Sequence, residues 1–144
     1  MGLLQLVGHL VENFAPQVAA AESSMHLAVD GPVEGNWDEF RIEQVISNLL
    51  TNALRYGARS PINVRVYSEQ DQGRVEVRDF GIGIGEENQA RIFQQFERVT
   101  AKHAVAGLGL GLFISEQIVT AHGGTITVES RIGEGALFRV CLPL

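Results

Sequence analysis

The stretch Asp79-Phe80-Gly81-Ile82-Gly83-Ile84-Gly85 decides how this chain is read. It follows Arg74-Val75-Glu76-Val77-Arg78, which alternates like a strand. Successive strand side chains point to opposite faces, so Val75, Val77 and Asp79 share one face. A carboxylate therefore ends a core-facing row, where burial requires a hydrogen-bonding partner. The three glycines at alternate positions leave main chain uncovered, open to close approach by a flat ligand. An inward acid beside bare backbone suits a heterocycle that carries an amino group. The residues also allow a plainer reading, a tight turn in which Asp79 caps a helix starting near Glu86.

Upstream, Asp38 reads as a helix start, and the helix runs to about Tyr56. Ile42, Val45, Ile46, Leu49 and Ala53 form its apolar stripe. Asn48 and Asn52 are four apart and stack on one face, which Arg55 and Tyr56 extend. Asparagine is a poor residue for a helix interior, so two together need a reason. One is a hard cation with phosphate, bound through an amide oxygen. The other is a solvated polar face, and the helix alone does not choose. Pro61 then introduces a strand with Ile62, Val64 and Val66 on one face and Asn63, Arg65 and Tyr67 on the other. Gln70-Asp71-Gln72-Gly73 makes the hairpin into the central strand.

Towards the N-terminus, Leu3, Leu6, Val7, Leu10, Val11 and Phe14 recur at helical spacing, and Pro16 marks the end region. This helix begins abruptly and reads as the tail of a longer element. His9 lies on its surface. Met25 to Asp30 has strand character, and Gly31-Pro32 and Gly35-Asn36 are turn signals.

Downstream, Glu86 to Gln95 has helical character, with Phe93 and Phe96 packing together. Thr100 to Ala106 has no period and reads as a mobile loop carrying Lys102 and His103. It leads through Gly107-Leu108-Gly109-Leu110-Gly111-Leu112 into a helix expected to bury Leu110, Phe113, Ile114, Ile118 and Ala121. A glycine-rich helix entry offers backbone N–H groups and the positive dipole end to an anion, or else serves as a hinge. His122-Gly123-Gly124 closes that helix. Thr125 to Glu129 and the last strand, with Phe138, Val140 and Leu142 inward, flank the Gly133-Glu134-Gly135 turn. Both glycine clusters are G-x-G-x-G, so neither a P-loop nor a dinucleotide fingerprint is present.

The totals bound the function. A chain of 144 residues is one domain with room for a core. A net charge of −6 argues against a broad nucleic-acid surface. The single cysteine, Cys141, rules out an internal disulfide or a cysteine cluster, and a reduced, cytoplasmic setting follows. No apolar run reaches the roughly 18 residues of a membrane span, so membrane attachment would need a segment outside this chain.

Taken together, these stretches resemble the catalytic ATP-binding domain of sensor histidine kinases, in the superfamily shared with gyrase, heat-shock chaperones and mismatch-repair ATPases. Gln44 to Gly57, with Asn48, Asn52, Arg55 and Tyr56, is similar to the N box. Asp79 to Ile84 is similar to the first glycine box, Ile92 to Arg98 to the phenylalanine box, and Gly107 to Leu112 to the second glycine box. Four boxes in order cover almost the whole chain from about Gln5.

The resemblance implies a two-layer α/β sandwich of the Bergerat type, a mixed sheet with helices on one face. It implies that residues 1–16 are the tail of a helical dimerisation segment and 17–144 the ATP-binding kinase domain. Asp79 would accept from the adenine amino group, Gly81 and Gly83 would let the ring in, and Ile84 would line its pocket. Asn52 would bind Mg²⁺, with Asn48 supporting phosphate or metal. Arg55 would contact phosphate and Tyr56 flank the nucleotide. Backbone from Gly107 through Leu108, Gly109 and Leu110 to Gly111 would meet the phosphates. Arg98 and Lys102 would approach the γ-phosphate from a lid between Phe96 and Gly107, so Asn48, Asn52 and Arg98 form the catalytic set.

The implied activity is transfer of the γ-phosphate of Mg·ATP to a histidine on dimerisation helices, and the partner downstream is a response regulator. In the hydrolysing branches a glutamate stands at the position of Asn48. An amide cannot act as a base there, which favours transfer over hydrolysis. No histidine of this chain fits the phosphoacceptor pattern, so the acceptor lies outside it. Ala136 stands where many relatives carry threonine. The alternative is a non-catalytic or hydrolytic ATP-binding module of the same superfamily.

Overall fold

In the computed structural model the described residues are 2–31, 33–57, 59–85, 89, 92 and 108–144, with residues 108–110 described by their backbone alone. The elements run α1 (Leu3–Asn13), α2 (Ala15–Ala20), β1 (Ser24–Val29), α3 (Glu39–Tyr56), β2 (Pro61–Glu69), β3 (Gln72–Asp79), α4 (Leu108–Ala121), β4 (Thr125–Ser130) and β5 (Ala136–Pro143). The expected helix around residues 86–95 and the expected loop at 100–106 fall mostly or wholly outside the described residues, as do Phe93 and Phe96.

Five strands form one mixed sheet in the order β1-β2-β3-β5-β4, parallel between β1 and β2 and antiparallel elsewhere. The expected α/β sandwich is therefore present. Alternation does the sorting: Ile62, Val64, Val66, Val75, Val77, Phe138, Val140 and Leu142 are buried against the helices. The β2–β3 turn places Gln70 and Asp71 at φ 55° and 60°, the left-handed pair that matches the twist of a two-residue hairpin.

Helix α3 starts where its sequence says it should. Asp38 is the N-cap and accepts from the Arg41 N–H at 3.2 Å. Its N–H in turn donates to His122 Nε2 at 3.1 Å, while His122 Nδ1 bonds the Ile118 carbonyl at 2.8 Å. A carbonyl only accepts, so the proton sits on Nδ1, and the imidazole ties the end of α4 to the start of α3. Gly123, at φ 77°, ends α4 in the left-handed conformation.

Three details differ from expectation. Pro16 does not simply end the first helix; it occupies the first turn of α2, where its missing N–H costs nothing. Helix α4 buries Leu112, Ser115, Ile118 and Val119, whereas Phe113 and Ile114 are half-buried and Ala121 is exposed. Finally, Tyr67 is buried although it faces away from the helices. The Arg65 guanidinium lies 4.1 Å over its ring, and its hydroxyl donates to Glu76 at 2.8 Å. Leu3, Leu6, Val7 and Leu10 of α1 belong to the same buried cluster as α3 and the sheet.

Candidate functional site

The site is assembled where the C-terminal turn of α3 meets the end of β3. Asp79 ends the buried row of β3 and is 4% exposed, facing the helix layer as its parity predicts. Its Oδ1 accepts from the Gly81 N–H at 2.9 Å, a local turn rather than a cap on a later helix. Burial pushes its carboxyl above the usual range. The backbone N–H groups of Gly81 and Ala136 and the charge of Arg78 oppose this without cancelling it. A carboxyl held this way gains from an added hydrogen-bond donor.

The glycines of this loop fit closely against neighbouring main chain. A Cβ at Gly81 would run into the carbonyl oxygen of Tyr56, and one at Gly83, whose φ is 74°, into that of Arg131. A Cβ at Gly57 would sit 2.5 Å from that of Asp79. Among the described residues, then, the immediate reason for Gly81 and Gly83 is backbone against backbone, where the sequence suggested ligand approach. The Ile82 N–H donates to the Tyr56 carbonyl at 3.3 Å, which joins loop to helix. Ile84 is half-buried against the core, and its N–H donates to Ser130 Oγ at 2.7 Å. Gln89 Nε2 bonds the carbonyls of Ile84 at 3.0 Å and Ser130 at 2.7 Å. Neither Ser130 nor Gln89 announced itself in the sequence, because the contact joins segments 41 and 46 residues apart.

On α3, Asn48, Asn52 and Tyr56 lie on one face at intervals of four. Asn52 is 8% exposed, so it is not a solvated surface residue, and its amide has no hydrogen-bond partner among the described residues. Asn48 Nδ2 donates to the Gly111 carbonyl at 3.2 Å and to Ser115 Oγ at 3.1 Å. The Tyr56 hydroxyl is buried without a partner among the described residues. Burial raises its pKa, opposed by the charge of the exposed Arg55. Helix α4 begins at Leu108, so Gly109 and Gly111 lie in its first turn. Arg98, Lys102 and Gly107 lie outside the described residues, as do the side chains of Leu108 and Leu110.

The arrangement suits a purine nucleotide with a hard cation. A buried acid with residual acceptor capacity faces a loop of main chain. One turn along α3 from Asn48, Asn52 is largely buried, and its amide oxygen is of the kind an oxygen-seeking cation takes. The saturated nitrogen of Asn48 leaves its oxygen as the group turned away from α4. The donor set is thus neutral, so charge balance at a metal would come from the phosphates.

Fold and site together define an ATP-binding α/β sandwich. The family described as "Histidine kinase-, DNA gyrase B-, and HSP90-like ATPase" matches residues 37–144, and the chain belongs to it. The match runs through solved catalytic domains: over 99% of this chain and 93% of the other, the catalytic domain of histidine kinase ThkA superposes with a TM-score of 0.87 at 27% identity. The chain is a catalytic domain of the sensor-histidine-kinase kind.

Among curated relatives, the sensor histidine kinase RcsC of Escherichia coli K12 is 34% identical over 97% of this chain and 15% of its own length. Sensor histidine kinase RppB of Synechocystis is 34% identical over 99% of this chain and 32% of its own. The chain thus spans a third or less of these two proteins. Full-length ShkA, solved with AMPPNP, has a TM-score of 0.84 at 26% identity over 99% of this chain and 30% of that one. ThkA has also been solved with the response regulator TrrA, at a TM-score of 0.80 and 28% identity, over 99% of this chain and 40% of that one.

Proposed function

We propose that this domain binds Mg·ATP and delivers its γ-phosphate to a histidine on a helical segment outside this chain, from which a response regulator is served. The single observation that carries the nucleotide reading is Asp79: a buried, raised carboxyl at the end of the core row, with Gly81 as its turn partner. It selects an amino-bearing base. Asn52 would hold the cation through its amide oxygen, with Asn48 Oδ1 on phosphate or metal. Arg55 would contact phosphate and Tyr56 flank the nucleotide, its orphaned hydroxyl gaining a partner. The cation, when bound, neutralises charge on the phosphates. The first turn of α4 would present backbone N–H groups to them, with Arg98 and Lys102 completing the approach to the γ-phosphate.

Asn48 supports transfer over hydrolysis. Its amide nitrogen is committed to Gly111 and Ser115, and an amide has no proton-accepting role at neutral pH. Helix α1 fits the last turns of a dimerisation segment that seats on the domain core. The test mixes the chain with Mg·ATP and a separately made histidine-bearing helical segment. Phosphate on that histidine supports the reading. Rapid release of free phosphate without labelling indicates the hydrolytic alternative, and binding with neither indicates a non-catalytic module.

A further inference from the structure

We propose that Ser115 is a positioning residue: its hydroxyl, together with the Gly111 carbonyl, locks the amide of Asn48 in the one orientation that presents oxygen to the metal–phosphate group. The inference rests on the reading of Asn48 just given. The amide carries two N–H groups, and the structure uses both, at 3.2 Å to Gly111 and 3.1 Å to Ser115. A main-chain carbonyl can only accept, so the nitrogen end must face α4 and Oδ1 must face away from it. No other assignment of the amide satisfies Gly111.

The contact with Asn48 gives the buried Ser115 hydroxyl a partner. Ser115 is 0% exposed and shares the buried face of α4 with Leu112, Ile118 and Val119. Serine is a poor helix-interior residue, and a buried hydroxyl needs a partner. A purely packing position would be filled by alanine or valine. The pair also joins α3 to the first turn of α4, so that Asn48 and the backbone entering α4 hold a common register. Without the hydroxyl, one N–H of Asn48 loses its partner and the bond to the Gly111 carbonyl alone holds the amide. The oxygen is then fixed by one contact rather than two, and less firmly held outward.

The experiment is calorimetric titration of ATP into the full chain, with and without Mg²⁺, for wild type, Ser115→Ala, Ser115→Thr, Asn48→Ala, the double variant Asn48→Ala/Ser115→Ala, and Asp79→Asn. Ser115→Ala should weaken binding of Mg·ATP about fivefold and leave metal-free ATP within about twofold, as expected for one lost hydrogen bond to the amide. Ser115→Thr, which keeps the hydroxyl, should restore the metal-dependent part. On the Asn48→Ala background, Ser115→Ala should change nothing further, since the serine acts through the amide. Should Ser115→Ala fail to fold, Ser115→Cys, close in volume and a weak acceptor, should move affinity in the same direction.

Equal losses with and without Mg²⁺, no loss, or a full loss persisting without Asn48 would each overturn the proposal. Asp79→Asn separates the two levels. If it binds ATP like wild type, the nucleotide reading falls and Ser115 with it. If it loses binding while Ser115→Ala keeps its metal dependence, only the role of Ser115 falls.

Discussion

The carbonyl oxygen of Tyr56 fills the space in which a side chain at Gly81 would begin. The last turn of α3 and the loop after β3 are therefore one packed unit, and the acid and the amide face are held in fixed relation. Gly81→Ala forces a backbone shift, since the obstructing atom is main chain. Overpacking of this kind costs about 1–3 kcal/mol, and a melt should show a drop of several degrees. An unchanged melting temperature would mean that loop and helix are not coupled as described.

Gly111 makes the opposite case. A Cβ there would meet the Asn48 side chain at 3.7 Å, an ordinary contact. Gly111→Ala also replaces the weaker helix former of the pair, worth up to about 1 kcal/mol. The variant should melt at or above the wild-type temperature. If main chain at the α4 entry meets phosphate, its ATP affinity should nonetheless fall. A clear loss of stability would contradict the open space seen at this glycine.

In the proposed reading Asp79 serves binding at a cost to stability when ionised. Burial holds its carboxyl above the unfolded value. The folded chain then takes up the proton more readily than the unfolded chain does. The stability it contributes is complete below the unfolded value and is lost as pH rises through the raised folded value. Asp79→Asn, which never ionises, should therefore melt no lower than wild type at neutral pH. It should still bind ATP at least about tenfold more weakly, the cost of a lost hydrogen bond to a charged group. ATP affinity of the wild type should fall on acidification with a midpoint above the ordinary carboxylate range. A melting point below wild type at pH 7 would make the carboxylate a structural group.

Glu76 behaves in the reverse sense on the face of the sheet away from the helices. Burial alone would raise its carboxyl, but hydrogen bonds from Arg139 and Tyr67, with the charges of Arg139 and Arg65, together hold it below its usual value. The Arg139 Nε contact is 2.7 Å. Stability from this group is present above the unfolded value and is lost as pH falls through the lowered folded value. Glu76→Gln should cost about 1–2 kcal/mol at neutral pH, with the deficit closing in acid and ATP affinity unchanged. A pH-independent deficit would remove the ionised pair as its cause.

Much of this was readable from residues alone where one local rule dominated. Asp38 capped α3, alternation placed Asp79 inward, and glycines closed α4 and the β4–β5 turn. What escaped the sequence depended on pairs far apart in it or on helices without a polar side. Helix α4 is apolar on several faces, so its spacing gave no unique buried row, and Ser115 was passed over in favour of Phe113 and Ile114. Tyr67 reads as solvent-facing by parity, but Arg65 lies over its ring, Glu76 takes its hydroxyl and Arg74 stands opposite it on β3. The glycines at 81 and 83 were rightly singled out, but the atoms they avoid belong to Tyr56 and Arg131, which no local pattern names.

The central claim is that Asp79 reads the exocyclic amino group of adenine. Inosine triphosphate carries a carbonyl oxygen where ATP carries that group, with the phosphates and ribose unchanged. Titration of both nucleotides in Mg²⁺ should give wild type at least about tenfold tighter binding of ATP, since an oxygen would face the carboxylate. Asp79→Asn, whose amide can donate, should lose that preference. Equal affinity of wild type for the two nucleotides would contradict the account.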